Sequence, residues 1–308
     1  MTFKDKTFVA FKPEQAAQYA SGRSHSYPEP LYQAILDYHQ GQRKTLLDVG
    51  TGPGKVVFDL LPHFSRAIGC DASPGMVEQA KLGAAKRDVA GKAVFVECAG
   101  EGCVEALETS GIEQVDVLTV AMAAHWLDLP AFYASVARAL RPGGTLAMWT
   151  AVSLYCHPST PNAAAVQEAL DDCEDRMLGP YMTPGNRMSR SGYKNIPLPF
   201  DVPGLEGKFD ATSFIRKEWD TDSVPSSPNN LDGTPGPFLM HRETSLEDLE
   251  RGLETSSSVI RWREANPEKA RTQEDLVKLT ASRVRELIGG ESLVVSPSFV
   301  LLMMRRAE

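Results

Sequence analysis

LLDVGTGPGKV, residues 46–56, is an apolar run carrying an acid, then a loop with glycine at every second position, then the start of a helix-forming segment. Glycines at 50, 52 and 54 let the backbone turn tightly after a strand and approach a ligand with no Cβ in the way. The run belongs to TLLDV (45–49), and four more β-rich runs follow it: RAIGC (66–70), AVFVE (93–97), VDVLTVA (115–121) and TLAMWT (145–150). Between the first two, Val57, Leu60, Leu61 and Phe64 recur at helical spacing; before the last, Phe132, Val136 and Leu140 do the same. Strands apolar on both faces are what a parallel sheet covered by helices requires. Their alternation with helices implies right-handed crossovers and an α/β, doubly wound fold.

Upstream, the chain reads as a leader and a helix. Pro30 suits a first turn, and Leu31, Ala34, Ile35 and Tyr38 make one apolar face. After Thr150 the regularity breaks. Nine prolines between Pro180 and Pro237 remove too many backbone donors for long helices or central strands, although KFDATSFIRKEW (208–219) fits a strand. SVPSSPNNLDGTPGP (223–237) is loop chemistry throughout, with little to bury and no regular ladder, and is expected to be mobile, as a lid or as a surface insertion. Thr244-x-x-Glu247 reads as a capping box before Leu246, Leu249, Leu253 and Ile260. A second helix is expected after Thr272, through Leu276, Leu279, Leu287 and Ile288, ending at Gly289-Gly290, and SFVLLMMRR (298–306) closes as a strand. The expected division is therefore leader and helix (1–44), sheet core (45–150), cap insertion (151–207), further strand (208–219), loop and helical cap (220–290) and final strand (291–308).

Composition narrows the function. The 308 residues are long enough for a large core, and 42% hydrophobic with 23% charged residues is globular usage. A formal charge of −8 and a pI near 5.4 argue against nucleic acid as the main partner, since phosphates call for a basic surface. The apolar run from Phe299 to Met304 is far short of the roughly 20 residues of a membrane span. MTFKDKTF holds no signal core, and five cysteines without C-x-x-C fit reduced thiols, so a cytoplasmic protein is expected. Histidines and cysteines lack ligand spacing, so no metal is expected, and no G-x-S-x-G elbow occurs.

Asp71 ends the second strand, 21 residues after Gly50, where a carboxylate can accept both hydroxyls of a ribose. A dinucleotide fingerprint, G-x-G-x-x-G, would place its third glycine at position 55, which is Lys55. Asp48, just before the loop, suits a ligand ammonium group and suits a pyrophosphate poorly. A nucleoside with an amino-acid end and no phosphate, S-adenosylmethionine, meets both conditions; a tight βα turn without ligand is the alternative.

With these features the chain resembles the class I S-adenosylmethionine-dependent methyltransferases over about residues 13–150 and the last strand. GCDASPGMVEQA (69–80), VDVLTVAMAAHWLD (115–128) and ALRPGGTLAMWT (139–150) carry the likeness further. The pair His125-Trp126, YASGRSHSYPEPLY (19–32) and TSSSVIRWREANP (255–267) look like the trans-aconitate methyltransferase-like group, fungal members especially. The leader reads R-S-H-S-Y-P where that group usually has R-P-S-Y-P. The resemblance implies a mostly parallel, seven-stranded Rossmann-like sheet with a helical and irregular cap. It implies cofactor contacts from Gly50, Gly52 and Gly54 to the methionine portion, from Asp71 to the ribose, and from Ala72, Met76, Glu101 and Ala121 around the adenosine. Met76 suits helix core equally, and Glu101 suits a solvated loop. Tyr19 and Arg23 would close over the methionine carboxylate, or else form a surface strap.

The implied enzyme methylates a small molecule, as a monomer or homodimer. A carboxylate acceptor needs no base; a hydroxyl wants one, and His125 is the histidine its neighbours place at the edge of a central strand, as base or as packing and positioning group. Trp126, Trp219 and Trp262 either wall the acceptor or are ordinary core aromatics, and Arg261 or Arg263, if turned inward, would pair with an acceptor carboxylate. Three rivals remain: a nicotinamide oxidoreductase, disfavoured by Lys55; a cofactor-binding protein that methylates nothing; and a methyltransferase acting on protein or RNA, the latter disfavoured by charge.

Overall fold

A computed structural model describes residues 16–17, 19–20, 26–240 and 242–308. Each of the five apolar runs forms a strand: β1 (Thr45–Val49), β2 (Arg66–Asp71), β3 (Ala93–Glu97), β4 (Val115–Ala121) and β5 (Leu140–Cys156). Helix α1 (Glu29–Tyr38) precedes them, and α2 (Lys55–Leu60), α3 (Pro74–Lys86), α4 (Cys103–Thr109) and α5 (Leu129–Ala139) connect them. Two of these helices start on side-chain caps followed by proline. Ser73 Oγ accepts from Met76 N before Pro74, and Asp128 accepts from Ala131 N just ahead of Pro130. Phe132 and Val136 face inward from α5 as their spacing predicts, whereas Leu140, in register with them, is already the first residue of β5 and pairs with Val115.

Three later strands, β6 (Phe209–Trp219), β7 (Glu243–Ser245) and β8 (Ser292–Arg306), complete a sheet ordered β3-β2-β1-β4-β5-β8-β6, with β7 antiparallel on β8. It is a mostly parallel sheet: β1 pairs in parallel with both β2 and β4, β2 with β3, and β4 with β5. Among the described residues the sheet has eight strands where seven were expected, because β7 is too short to read from sequence. The chain reverses its direction of growth between β1 and β4, so the loops leaving those strands meet at one edge, the usual ligand position in such folds.

Contacts divide the chain into two compact units. The first takes in the described residues up to Thr150 together with Tyr193–Lys217 and Val300–Glu308. Its core includes Trp149, Tyr133, Phe132, Leu46, Leu47 and Ile68, all fully buried, each contributing roughly 1.5–3 kcal/mol. The second takes in Ala151–Gly192 and Glu218–Phe299, with helices α6 (Ala163–Asp171), α7 (Pro184–Arg190), α8 (Leu246–Glu254), α9 (Ser257–Ala265) and α10 (Leu276–Ile288). There Val166, Leu170, Leu246, Leu249, Val284 and Ile288 share one apolar cluster.

One cap differs from expectation. The N-cap of α8 is Ser245, whose Oγ accepts from Asp248 N at 3.0 Å; Thr244 is committed to β7, opposite Leu293. Helix α10 starts after Thr272 as expected, with Asp275 as its N-cap, and Gly289 ends it at φ 62° as predicted. The 223–237 segment is also better tied than its composition suggests. Buried Asp220 accepts from Ser226 N at 2.8 Å and Leu239 N at 2.5 Å, and Asn230 N donates to Thr234 O at 2.9 Å. His157 Nε2 meets Gly236 O at 2.9 Å, and the His157 ring packs edge-on against buried Phe238. All five cysteines are buried free thiols, and among the described residues no helix is long and apolar enough to cross a membrane.

Candidate cofactor and active site

Three glycines of one loop do three different things. Gly50 (φ 67°) passes so near the loop after β4 that a Cβ there would lie 2.5 Å from Ala123 Cβ. Gly54 (φ 86°) seats against Phe95 and Phe58 and is the N-cap of α2. Gly52 (φ 54°) has no atom of the described residues within 4 Å of where its Cβ would stand, so among them the loop's concavity lies open at that residue.

Asp71 fixes the loop from the next strand. Its Oδ2 accepts from Gly52 N at 2.8 Å and its Oδ1 from Ser73 N at 2.9 Å. Burial raises its pKa, against the pull of the Ser73 and Gly52 N–H groups. Each carboxylate oxygen can still accept a second hydrogen bond, the capacity a ribose diol needs. Asp48 is completely buried; its Oδ1 accepts from Thr119 Oγ1 at 2.7 Å. Asp48 Oδ2, also buried, makes no well-formed hydrogen bond to the described residues, although the Thr51 hydroxyl lies beside the carboxyl. Burial pushes the Asp48 carboxyl up to about 7, against the Thr119 and Thr51 hydroxyls. An open concavity at Gly52, a strand-end carboxylate with spare acceptors and an orphaned buried carboxylate oxygen fit a nucleoside ligand that carries an ammonium group.

The remaining expected contacts are placed as follows. Ala72 is half-buried between Asp71 and Ser73, and Met76 is buried in the first turn of α3. Glu101 does not lie loose in solvent: its Oε1 accepts from Asp128 N at 2.9 Å, tying the loop after β3 to the start of α5. Ala121 ends β4 opposite Trp149. Tyr19 is half-buried; Arg23 lies outside the described residues. From the same leader, Ser26 and Tyr32 donate to the two oxygens of Asp59 on α2, at 3.0 and 2.8 Å, and the Tyr27 ring packs edge-on against Trp149. These leader residues pass over the helix that the glycine loop begins.

After β4 the chain makes a short turn, Ala124–Trp126. His125 and Trp126 have ring centroids 4.4 Å apart, and His125 Nδ1 lies 2.8 Å from the hydroxyl of Tyr193. Tyr193 is nearly fully buried, and that burial raises its pKa far above the ordinary phenol value. Sequence reading missed Tyr193. It sits in the proline-rich stretch with no periodicity around it, and its partner is 68 residues away.

Trp219, Arg261 and Trp262 belong to the second unit. Arg261 donates to Tyr181 O at 2.7 Å, Ser257 Oγ at 3.1 Å and Asn186 Oδ1, so its guanidinium serves that unit's own network. Arg263 is paired with buried Asp275 and with Glu254. Trp262 packs, half-buried, on the cluster of Cys173, Leu178, Val259, Leu276 and Val277, the ordinary core role that was its alternative. Among the described residues no group of three or more histidines, cysteines or carboxylates is placed to hold a metal.

Residues 47–148 match the family described as methyltransferase domain. The chain is 28% identical over 295 residues to "Probable S-adenosylmethionine-dependent methyltransferase CRG1" of Saccharomyces cerevisiae, with 94% of each chain covered. It is 26% identical over 321 residues to methyltransferase cfoB of Aspergillus candidus, with 98% of each covered. A solved structure, that of a candidate type II methyltransferase from Anaeromyxobacter dehalogenans, superposes with a TM-score of 0.61 at 20% identity, over 92% of this chain and 97% of that one. At that identity the structural likeness speaks for the fold.

Proposed function

The chain is a class I S-adenosylmethionine-dependent methyltransferase, and from this premise we propose that it methylates an oxygen, carboxylate or hydroxyl, of a small organic acid or secondary metabolite. S-adenosylmethionine, when bound, supplies an electrophilic sulfonium methyl group and its own neutral leaving group. The chain's residues have the remaining work. Asp71 holds the ribose, the Gly50–Gly52–Gly54 backbone receives the methionine portion, and the Asp48 carboxylate answers its ammonium group. Ala72, Met76 and Ala121 flank the adenosine, Glu101 holds the loop beside it, and Tyr19 and Arg23 close the methionine end. His125 meets the acceptor. For a hydroxyl it takes the proton as the oxygen–carbon bond forms; for a carboxylate it orients the nucleophile.

The observation that carries this reading is the position of His125: one turn beyond β4, ring against Trp126, and held through Nδ1 by a buried tyrosine. Of the aromatics expected to wall the acceptor, Trp126 is supported by that contact. The acidic balance of −8 supports a small acceptor over RNA. His125→Ala tests the role. With a hydroxyl acceptor, turnover should fall by about 10²–10⁴ while titration of S-adenosylmethionine gives an unchanged affinity. With a carboxylate acceptor the loss should fall on the acceptor's KM. Wild-type kcat and KM in the variant would remove His125 from the reaction.

A further inference from the structure

We infer that the indole N–H of Trp149, on β5, receives the carboxylate of the cofactor's methionine portion, which makes Trp149 a cofactor-binding residue as well as a core one. The inference rests on reading the glycine loop and Asp48 as the receivers of that portion. Trp149 is fully buried, yet its Nε1 has no hydrogen-bond partner among the described residues. The indole nitrogen can only donate, and a donor withdrawn from water with nothing to accept its proton is rare in a folded protein. The aromatic rings packed on it are those of Tyr27 and Tyr32, both edge-on, with centroids 5.3 and 6.3 Å away. The Tyr32 hydroxyl is turned elsewhere, to Asp59.

The register of the sheet places this donor. Asp48 on β1 pairs with Thr119 on β4, and Thr119 with Ala147 on β5. Paired residues of neighbouring strands share a face, as do residues two apart on one strand, so Trp149 shares a face with Asp48. It stands one pleat nearer the edge where the glycine loop lies, opposite Ala121, the last residue of β4. Tyr32 joins the two: its ring packs on Trp149, and its pKa is raised by burial, with the charges of Asp59 and Asp48 adding to the effect. All these residues belong to the first compact unit. An amino-acid end carries its ammonium and carboxylate on one carbon, so the receiver of the carboxylate must stand beside the receiver of the ammonium. A cation at position 149 would pair with Asp48 and close the site, whereas a neutral N–H serves the carboxylate and leaves Asp48 to the ammonium. The positive charge is set further off. Lys55, the residue that breaks the dinucleotide fingerprint, holds its Nζ 5.8 Å from the centroid of the same Tyr27 ring.

The test compares two ligands that differ only in this carboxylate, S-adenosylmethionine and decarboxylated S-adenosylmethionine, each titrated calorimetrically into the full-length protein. Trp149→Phe should weaken binding of S-adenosylmethionine roughly tenfold to a hundredfold, the loss of one hydrogen bond to a charged group, and leave the affinity for the decarboxylated ligand nearly unchanged. An equal loss for both ligands overturns the assignment, because lost packing would act on both alike. A second reading needs no variant to fold. Of the four tryptophans, Trp149 is the fully buried one and the others are half-buried, so its indole N–H should be the slowest of the four to exchange in D₂O. In protein labelled with ¹⁵N-tryptophan, S-adenosylmethionine should move that proton downfield, and the decarboxylated ligand should leave it in place. The same shift with both ligands, or a shift with neither, overturns the assignment. Failure of the underlying reading is a separate result: a Gly52→Ala protein that binds S-adenosylmethionine as tightly as the wild type.

Discussion

Asp48 on β1 is fully buried and Asp71 at the end of β2 half-buried, and they meet that loss of water by different means. Asp71 receives two backbone N–H groups, while Asp48 has one hydroxyl and an orphaned oxygen. The consequence is a pH dependence that belongs to Asp48. Its folded pKa, about 7, lies above the unfolded value of about 4, so between those pH values the folded protein holds a proton that the unfolded chain releases. The contribution is full below pH 4 and is lost as the pH rises to 7, at roughly 1.4 kcal/mol per unit. Urea unfolding of the ligand-free protein between pH 4.5 and 8 should show that decline, and Asp48→Asn should flatten it. S-adenosylmethionine binding near pH 7 should release about half a proton from Asp48, read as buffer-dependent heat. Much at this scale was legible: the spacing of Gly50 and Asp71 and the acid before the loop are local patterns with a chemical reason. Tyr193 was not, because nothing in SGYKN announces which strand end its hydroxyl will reach.

The elements show why spacing alone misplaces boundaries. Thr244 and Ser245 each have an acid three residues on, so both satisfy the same capping pattern; pairing of Thr244 with Leu293 decides for Ser245. Leu140 keeps the helical period of Phe132 and Val136, yet the ladder to Val115 claims it for β5. Within the glycine loop the same physics yields a contrast. Gly50→Ala drives a methyl group into Ala123 and should cost stability well beyond the 1–2 kcal/mol of a left-handed alanine. Gly52→Ala meets no atom of the described residues, so it should pay only that backbone cost yet lose S-adenosylmethionine affinity at least tenfold, measured by calorimetry beside thermal unfolding. Equal affinity in Gly52→Ala would mean that the loop does not receive the ligand. For the 223–237 segment, composition pointed to mobility and the Asp220 contacts point to restraint. Asp220→Ala should make it the first site of limited proteolysis; a wild-type protein cut there just as fast would show that those contacts do not restrain it.

At the scale of the whole molecule, the sheet was readable because its parallel strands are apolar on both faces, whereas the second unit was not, because its short helices and prolines carry no period. What the chain does depends on both the chemistry of the donor and the identity of the acceptor, and methyl transfer from S-[methyl-³H]adenosylmethionine reads them together. The panel should hold aconitate and other small carboxylic acids, phenols, thiols and total tRNA, with wild type and His125→Ala side by side. The account predicts labelled ester or ether from a small acid or phenol, equimolar S-adenosylhomocysteine, and none of either with tRNA. Label transferred to tRNA or to thiols alone, with every small oxygen acceptor untouched, would contradict it.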